Sequence, residues 1–182
     1  MRRIKHRLPE IVAVTLLGCT LAAAAALAAG TTPALVPWAP GGVELGVRLD
    51  VLPTVLMGFI ASLGLLVAVY SRRNLEGQSR RLRFDIALSG ALVALVLMVT
   101  GASLPAIALG WTVSGLATVA LVAHADGPRA RRASRFVARC LLAGDIALWA
   151  GVIVAMSVLP TVNRAELGDA DLSTGAATAV TV

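Results

Sequence analysis

The stretch VARCLLAGDIALWAGVIVAMSVL, residues 137–159, decides the fold. It is long enough to cross a bilayer as a helix, which takes about 20 apolar residues. Four further blocks of this kind precede it, at residues 11–29, 53–70, 84–100 and 105–124. Hydrocarbon leaves a free peptide group unsatisfied, and no block shows the two-residue alternation of a barrel strand, so we expect helices. The sequence predicts an all-α integral membrane protein with five transmembrane helices.

The composition excludes the main soluble classes. Of the 182 residues, 58% are hydrophobic and only 14% are charged, whereas about a quarter of a soluble domain is charged and a disordered chain has low hydrophobicity. The net charge of +6 does not indicate a nucleic-acid partner, because the arginines cluster in short loops between apolar blocks. We expect the lipid bilayer as surroundings and no nucleic-acid binding.

The same arginines predict the orientation. All but two of the 16 lysines and arginines lie before the first block, between the second and third, or between the fourth block and the start of the fifth, which includes Arg139; the exceptions are Arg48 and Arg164. Basic loops stay in the cytoplasm. The chain is therefore expected to be a multi-pass protein of the cytoplasmic membrane, with its N-terminus inside and its C-terminus outside.

The segments outside the membrane carry weaker signals. Residues 30–52 form an outer loop in which the alternation VELGVRLD, residues 43–50, predicts a short strand or hairpin. Residues 161–182 are expected to be an outer tail or truncated connector with little order. The basic start also suits a signal peptide, although the apolar run continues beyond Cys19, which favours a retained helix. Neither Cys19 nor Cys140 has neighbours at metal-ligand spacing, so no metal is expected.

Chemistry-bearing residues are few, and no catalytic motif or cofactor signature is present. Asp145, about two turns inside the fifth block, is essentially the one ionisable group expected to be buried, and such a carboxylate marks an ion path or pairs with an arginine such as Arg139 or one from another helix. His124, at the inner end of the fourth block, would serve proton entry or simply lie at the interface. Thr112 and Ser114 would hold water or only allow close helix packing.

Six short motifs follow one another between residues 47 and 155. The motifs are Val47-Arg48-Leu49-Asp50, Tyr70-Ser71, Leu75-Glu76-Gly77, Arg83-Phe84, Leu109-Gly110-Trp111 and Ala143-Gly144-Asp145. Their order resembles the second to sixth helices of the antiporter-like membrane subunits. That superfamily includes the large proton-pumping subunit of NADH-quinone oxidoreductase, the large subunit of multi-subunit (Mrp) sodium/proton antiporters, and DabB of the inorganic-carbon pump.

The resemblance implies proton or sodium translocation in a complex with other membrane subunits, either redox-driven or joined to a soluble carbon-binding partner. Asp145 occupies the position of the family's fifth-span acid, but Thr112 stands where the respiratory subunit has an essential Glu. The family's later helices are missing, so the resemblance implies a truncated, split or decayed copy with an incomplete antiporter-like bundle. A non-conducting structural or assembly subunit is the alternative, and the chain alone is not expected to be catalytic.

Overall fold

The computed structural model describes residues 7–32, 34–38, 43–75, 81–124, 127–159 and 161–169. In chain order its elements are α1 (Leu8–Ala28), β1 (Ala34–Trp38), β2 (Leu45–Arg48), α2 (Val51–Asn74), α3 (Arg81–Thr100), α4 (Leu104–Val122), α5 (Pro128–Val158) and α6 (Arg164–Asp169). Within these ranges, α1 to α5 are long and apolar enough to span a membrane. The predicted all-α membrane fold is confirmed. Three parts of the predictions lie outside the described residues: the basic residues at positions 1–6, Arg80, and residues 170–182 of the expected tail.

The fifth helix begins well before its apolar block. Gly127, with φ at +130°, precedes Pro128 at the first helical position, where the fixed φ of proline suits a helix start. The arginines that follow are good helix formers and continue the helix into the apolar block. At 31 residues, α5 is about 46 Å long. It therefore exceeds the hydrocarbon thickness of about 30 Å and projects into the headgroup region.

Small residues allow the helices to approach closely. A Cβ atom added at Gly110 of α4 would lie 2.5 Å from the backbone nitrogen of Met98 in α3. Such contacts replace the hydrophobic driving force that is absent between helices in lipid. α3 packs against α4, α1 against α2, and α2 against α3, whereas α5 packs against α4 at the edge of the bundle.

Alternating helix directions give the bundle two different ends. At one end, Arg72 of α2 lies 3.5 Å from the carboxylate of Glu10 in α1, and the ring of Phe84 at the start of α3 meets His124 after α4. This end, called the basic end below, carries the arginine-rich segments. The opposite end, called the hairpin end, carries β1, β2 and α6.

The hairpin end is tied together by backbone hydrogen bonds. β1 and β2 pair antiparallel, and the amide of Ala102 donates to the carbonyl of Gly46 at 3.0 Å. Residues 161–169, which the composition marks as a connector with little order, fold back onto this end: the amide of Arg164 donates to the carbonyl of Ala102 at 2.8 Å. Buried Asn163 accepts the amide of Glu44 at 2.8 Å. The first part of the tail therefore covers the hairpin end.

Candidate ion-translocation site

Asp145 lies half-buried on α5, on the side that faces α4. Its neighbours one turn away in each direction both contact α4: Leu141 lies against Gly115, and Trp149 bonds to Thr112. Residues four apart share a helix face, so Asp145 lies between these two contacts. Among the described residues, its carboxylate makes no hydrogen bond and no ion pair. Within a membrane, a carboxylate is stable only if it is protonated or if water or a group of a further chain compensates its charge.

Thr112 is held by an interhelical hydrogen bond. The indole Nε1 of Trp149 donates to Oγ1 of Thr112 at 3.0 Å. Threonine has no titrating charge, so its hydroxyl cannot replace the function of a glutamate. This bond fixes α5 against α4 one turn from Asp145. The structure thus brings Thr112 close to the candidate carboxylate as part of the helix contact.

Ser114 does not join this group. Its hydroxyl donates to the carbonyl of Trp111 at 2.8 Å, within its own helix. The Trp111 side chain is itself exposed. Serine hydroxyls in membrane helices commonly satisfy themselves in this way. The predicted water-holding role therefore gains no support from the position of Ser114.

Arg139 lies on a different side of α5 from Asp145. The two residues are six positions apart, which separates them by about 240° around the helix. Arg139 is exposed, and it lines a groove with Arg131 and Arg135. Among the described residues it forms no ion pair with Asp145. The Arg139–Asp145 pair that the sequence suggested is not formed within this chain.

His124 lies at the basic end, far from Asp145. It follows α4, and twelve residues, about 18 Å of helix, separate it from Thr112. Its ring meets Phe84 edge-on with centroids 5.3 Å apart. Nδ1 is buried and has no hydrogen-bond partner among the described residues. His124 also lines a pocket of about 410 Å³ between α3 and α4, with Arg83 and Ile86 among the other lining residues.

A second acid in the bundle is more buried than Asp145. Asp85, in the first turns of α3, is 4% exposed, and its carboxylate lies 3.7 Å from Nε of Arg81. The expectation that Asp145 is essentially the one buried ionisable group is therefore wrong. The spacing of four residues between Arg81 and Asp85 is typical of a helical ion pair and could have indicated it.

The residues that carry the family resemblance do not gather at one place. Asp50 lies at the hairpin end, where its carboxylate is 3.6 Å from Arg164. Tyr70 and Ser71 lie toward the other end of α2, and Tyr70 is exposed. Gly110 forms the close contact with α3. These residues therefore lie at the two ends of the bundle and in a helix contact, and they do not form a common site.

Metal-ligating side chains are dispersed. Within the described ranges, no group of three or more His, Cys, Asp or Glu residues is arranged to hold a metal ion. Cys19 and Cys140 are both free and exposed, on separate helices.

These observations define the class of protein: an all-α, multi-pass membrane protein with a half-buried carboxylate in its last long helix. Comparisons add no nearer identity, since no family model and no curated protein matches the chain.

Proposed function

We propose that this chain is a proton- or sodium-translocating subunit of a multi-subunit complex in the cytoplasmic membrane. The complex is of the NADH-quinone oxidoreductase or inorganic-carbon-pump kind, and this chain supplies part of its antiporter-like bundle. The supporting observation is Asp145, a half-buried carboxylate within α5 that has no partner among the described residues. Other membrane subunits, and in the second kind a soluble carbon-binding protein, are the expected partners.

The energetics of Asp145 favour an ion path. The cost of a carboxylate in a membrane helix rises with depth and reaches about 2.5–3.5 kcal/mol at the helix centre on insertion scales. This insertion cost is largely removed when the carboxylate binds a proton or a sodium ion, or when it contacts a chain of water molecules. The hydrogen bond from Trp149 to Thr112 holds α5 against α4, so the carboxylate is kept at a helix interface where such a path would run. Loading and release of an ion at Asp145 is the chemistry proposed.

His124 is the proposed inner entry point. Its half-buried ring borders the pocket at the basic end, between α3 and α4. An imidazole ring has one nitrogen that can donate a hydrogen bond and one that can accept a proton, so it can pass a proton to or from water. A proton taken up there would need water molecules to reach Asp145, because the two residues are more than one helix turn apart.

A second candidate function is a non-conducting assembly subunit. The observation that favours it is Thr112, which stands at the family's Glu position and accepts the hydrogen bond from Trp149 that joins α4 to α5. A residue in that state serves helix packing. Under this function, Asp145 would pair with an arginine of another chain and would carry no ion.

The decisive experiment compares Asp145→Asn and Asp145→Glu in the assembled complex. Inverted membrane vesicles are assayed for proton flux by dye quenching and for sodium uptake, and assembly is followed on native gels. We expect flux to fall below about a tenth of wild type in Asp145→Asn and to survive in part in Asp145→Glu, since only the latter retains a titrating group.

The matched control is Asp50→Asn, which removes one carboxylate at the hairpin end and should leave flux unchanged. Unchanged flux in Asp145→Asn, with normal assembly, contradicts ion translocation through this residue. If deletion of the chain then dissolves the complex, the assembly function is favoured.

A further inference from the structure

The first turns of α5 form an exposed arginine cluster. Its members are Arg129, Arg131, Arg132, Arg135 and Arg139, all of them exposed. No Asp or Glu occurs between residues 127 and 144. Among the described residues, none of the five forms an ion pair. The cluster is therefore a concentration of positive charge on a stretch of helix, residues 127–144, that carries no acidic residue.

Part of this cluster lies on one face of the helix. Arg131, Arg135 and Arg139 follow one another at intervals of four residues, so their side chains leave α5 on the same side. With Arg132 and Phe136 they line an open groove of about 430 Å³. Phe136 is 70% exposed, which adds an apolar ring beside the guanidinium groups. The groove thus offers several charged donors and one apolar surface.

Without a bound anion, the arginine cluster destabilises the first turns of α5. Like charges four residues apart on a helix repel each other, and cations near a helix N-terminus oppose the helix dipole. Gly127, the residue that precedes α5, supplies no side-chain cap. A bound anion relieves both kinds of repulsion, so the local charges favour an anionic ligand.

The same face becomes apolar toward the middle of the membrane. Leu142, Ile146 and Ile153 are each more than 60% exposed, and they lie three, seven and fourteen residues beyond Arg139, on its side of the helix. Residues 139–158 cover about 30 Å, the thickness of the hydrocarbon. The arginines ahead of them therefore lie at headgroup depth, and the apolar side chains lie at acyl-chain depth.

We infer that this face of α5, the arginine face, binds an anionic phospholipid. The phosphate lies between Arg131, Arg135 and Arg139, whose guanidinium groups match phosphate oxygens in geometry and charge. The acyl chains follow Leu142, Ile146 and Ile153. This inference does not depend on ion translocation at Asp145, since that carboxylate is not among the side chains that hold the lipid.

The test uses the full-length chain in mild detergent, mixed with equal amounts of phosphatidylglycerol and phosphatidylcholine. Native mass spectrometry measures which lipid stays bound. We expect a preference for phosphatidylglycerol that Arg131→Gln/Arg135→Gln/Arg139→Gln lowers by at least about tenfold, because each arginine near an anionic headgroup contributes about fivefold. Arg131→Lys/Arg135→Lys/Arg139→Lys, which retains the charge but not the guanidinium geometry, keeps a larger share of the preference than the glutamine variant and shows that the helix still folds.

The matched control is Arg72→Gln/Arg73→Gln/Arg83→Gln, which removes three arginines at the same end of the bundle and should retain the preference. Asp145→Asn should retain it too. An equal loss in the control means unspecific attraction and overturns the inference. It is also overturned if glycerol 3-phosphate alone competes as well as the lipid. A wild-type protein with no preference for phosphatidylglycerol would likewise overturn it, and would favour an acidic helix of a partner as the ligand of this face.

Discussion

The indole nitrogen of Trp149 lies 3.0 Å from Oγ1 of Thr112 and donates a hydrogen bond to it. The two residues belong to α5 and α4, and this bond crosses between the helices one turn from Asp145. Since α5 packs chiefly against α4, the bond fixes the rotation and depth of a helix at the edge of the bundle. The placement of the candidate carboxylate depends on this contact.

Removal of this hydrogen bond should loosen α5 measurably. Thr112→Val and Trp149→Phe are each expected to lower the free energy of unfolding by about 0.5–1.5 kcal/mol, the usual range for interhelical bonds in membranes. The double variant should lose little more than either single one, because both remove the same bond. Thr118→Val, whose hydroxyl bonds within its own helix, is the control. Strictly additive losses, measured by denaturation in mixed micelles, would show that the two residues are not coupled.

Gly110 should tolerate no side chain. A Cβ there would lie 2.5 Å from the nitrogen and 2.8 Å from the Cα of Met98, and backbone atoms cannot turn aside as a side chain can. Gly110→Ala is expected to cost at least about 2 kcal/mol of unfolding free energy through overpacking. Gly90→Ala, with no atom within 4 Å of the added Cβ, should be neutral or slightly stabilising. Equal stability of the two variants would refute the close α3–α4 contact.

The buried ion pair at the start of α3 gives a third prediction. Asp85 is almost fully buried, and Arg81 lies 3.7 Å away, so Arg81→Gln removes a cation from a buried carboxylate. We expect a loss of at least about 2 kcal/mol, because removal of one partner from a buried ion pair is strongly destabilising. Arg83→Gln, an exposed neighbour, should change stability by less than about 0.5 kcal/mol. Thermal unfolding of the two purified variants separates these outcomes.

Glu166 at the hairpin end should report on the fold of the tail. Hydrogen bonds from the side chains of Thr161, the larger cause, and Asn163 hold the pKa of Glu166 below its ordinary value. A lowered pKa stabilises the fold above the unfolded pKa, and this contribution is lost as pH falls through the folded pKa. Thr161→Ala should raise the pKa of Glu166 in a carboxyl-carbon NMR titration. Thr31→Ala should leave it in place, and an unmoved pKa in Thr161→Ala would contradict the hydrogen bond.

The number and type of the long helices could be predicted because hydrocarbon imposes a minimum apolar length on each span. Helix ends could not, since hydropathy marks only the part that lies in hydrocarbon. α5 starts at Pro128 and not near residue 137 because arginines extend it beyond that layer. The folding of residues 161–169 onto the hairpin end depends on distant partners, such as the bond between Glu44 and Asn163. No local pattern encodes such a contact.

The candidate site could be predicted only in part. Asp145 stands out because a carboxylate within an apolar run is costly wherever the helix packs. The burial of Asp85 depends on how α3 sits among its neighbours, so its position near the edge of a block concealed it. The bond between Thr112 and Trp149 joins residues 37 positions apart, and only the packing of α4 on α5 brings them together.

The central claim, that Asp145 lies on an aqueous path, is tested most directly by thiol accessibility in the membrane. Asp145→Cys is placed in a chain whose Cys19 and Cys140 are replaced by Ala, and vesicles are treated with a charged methanethiosulfonate that reacts only in water. Ile146→Cys, on the exposed apolar face, is the matched control. The account predicts that position 145 reacts at least about tenfold faster than position 146. Equal and negligible reaction at both positions would contradict it.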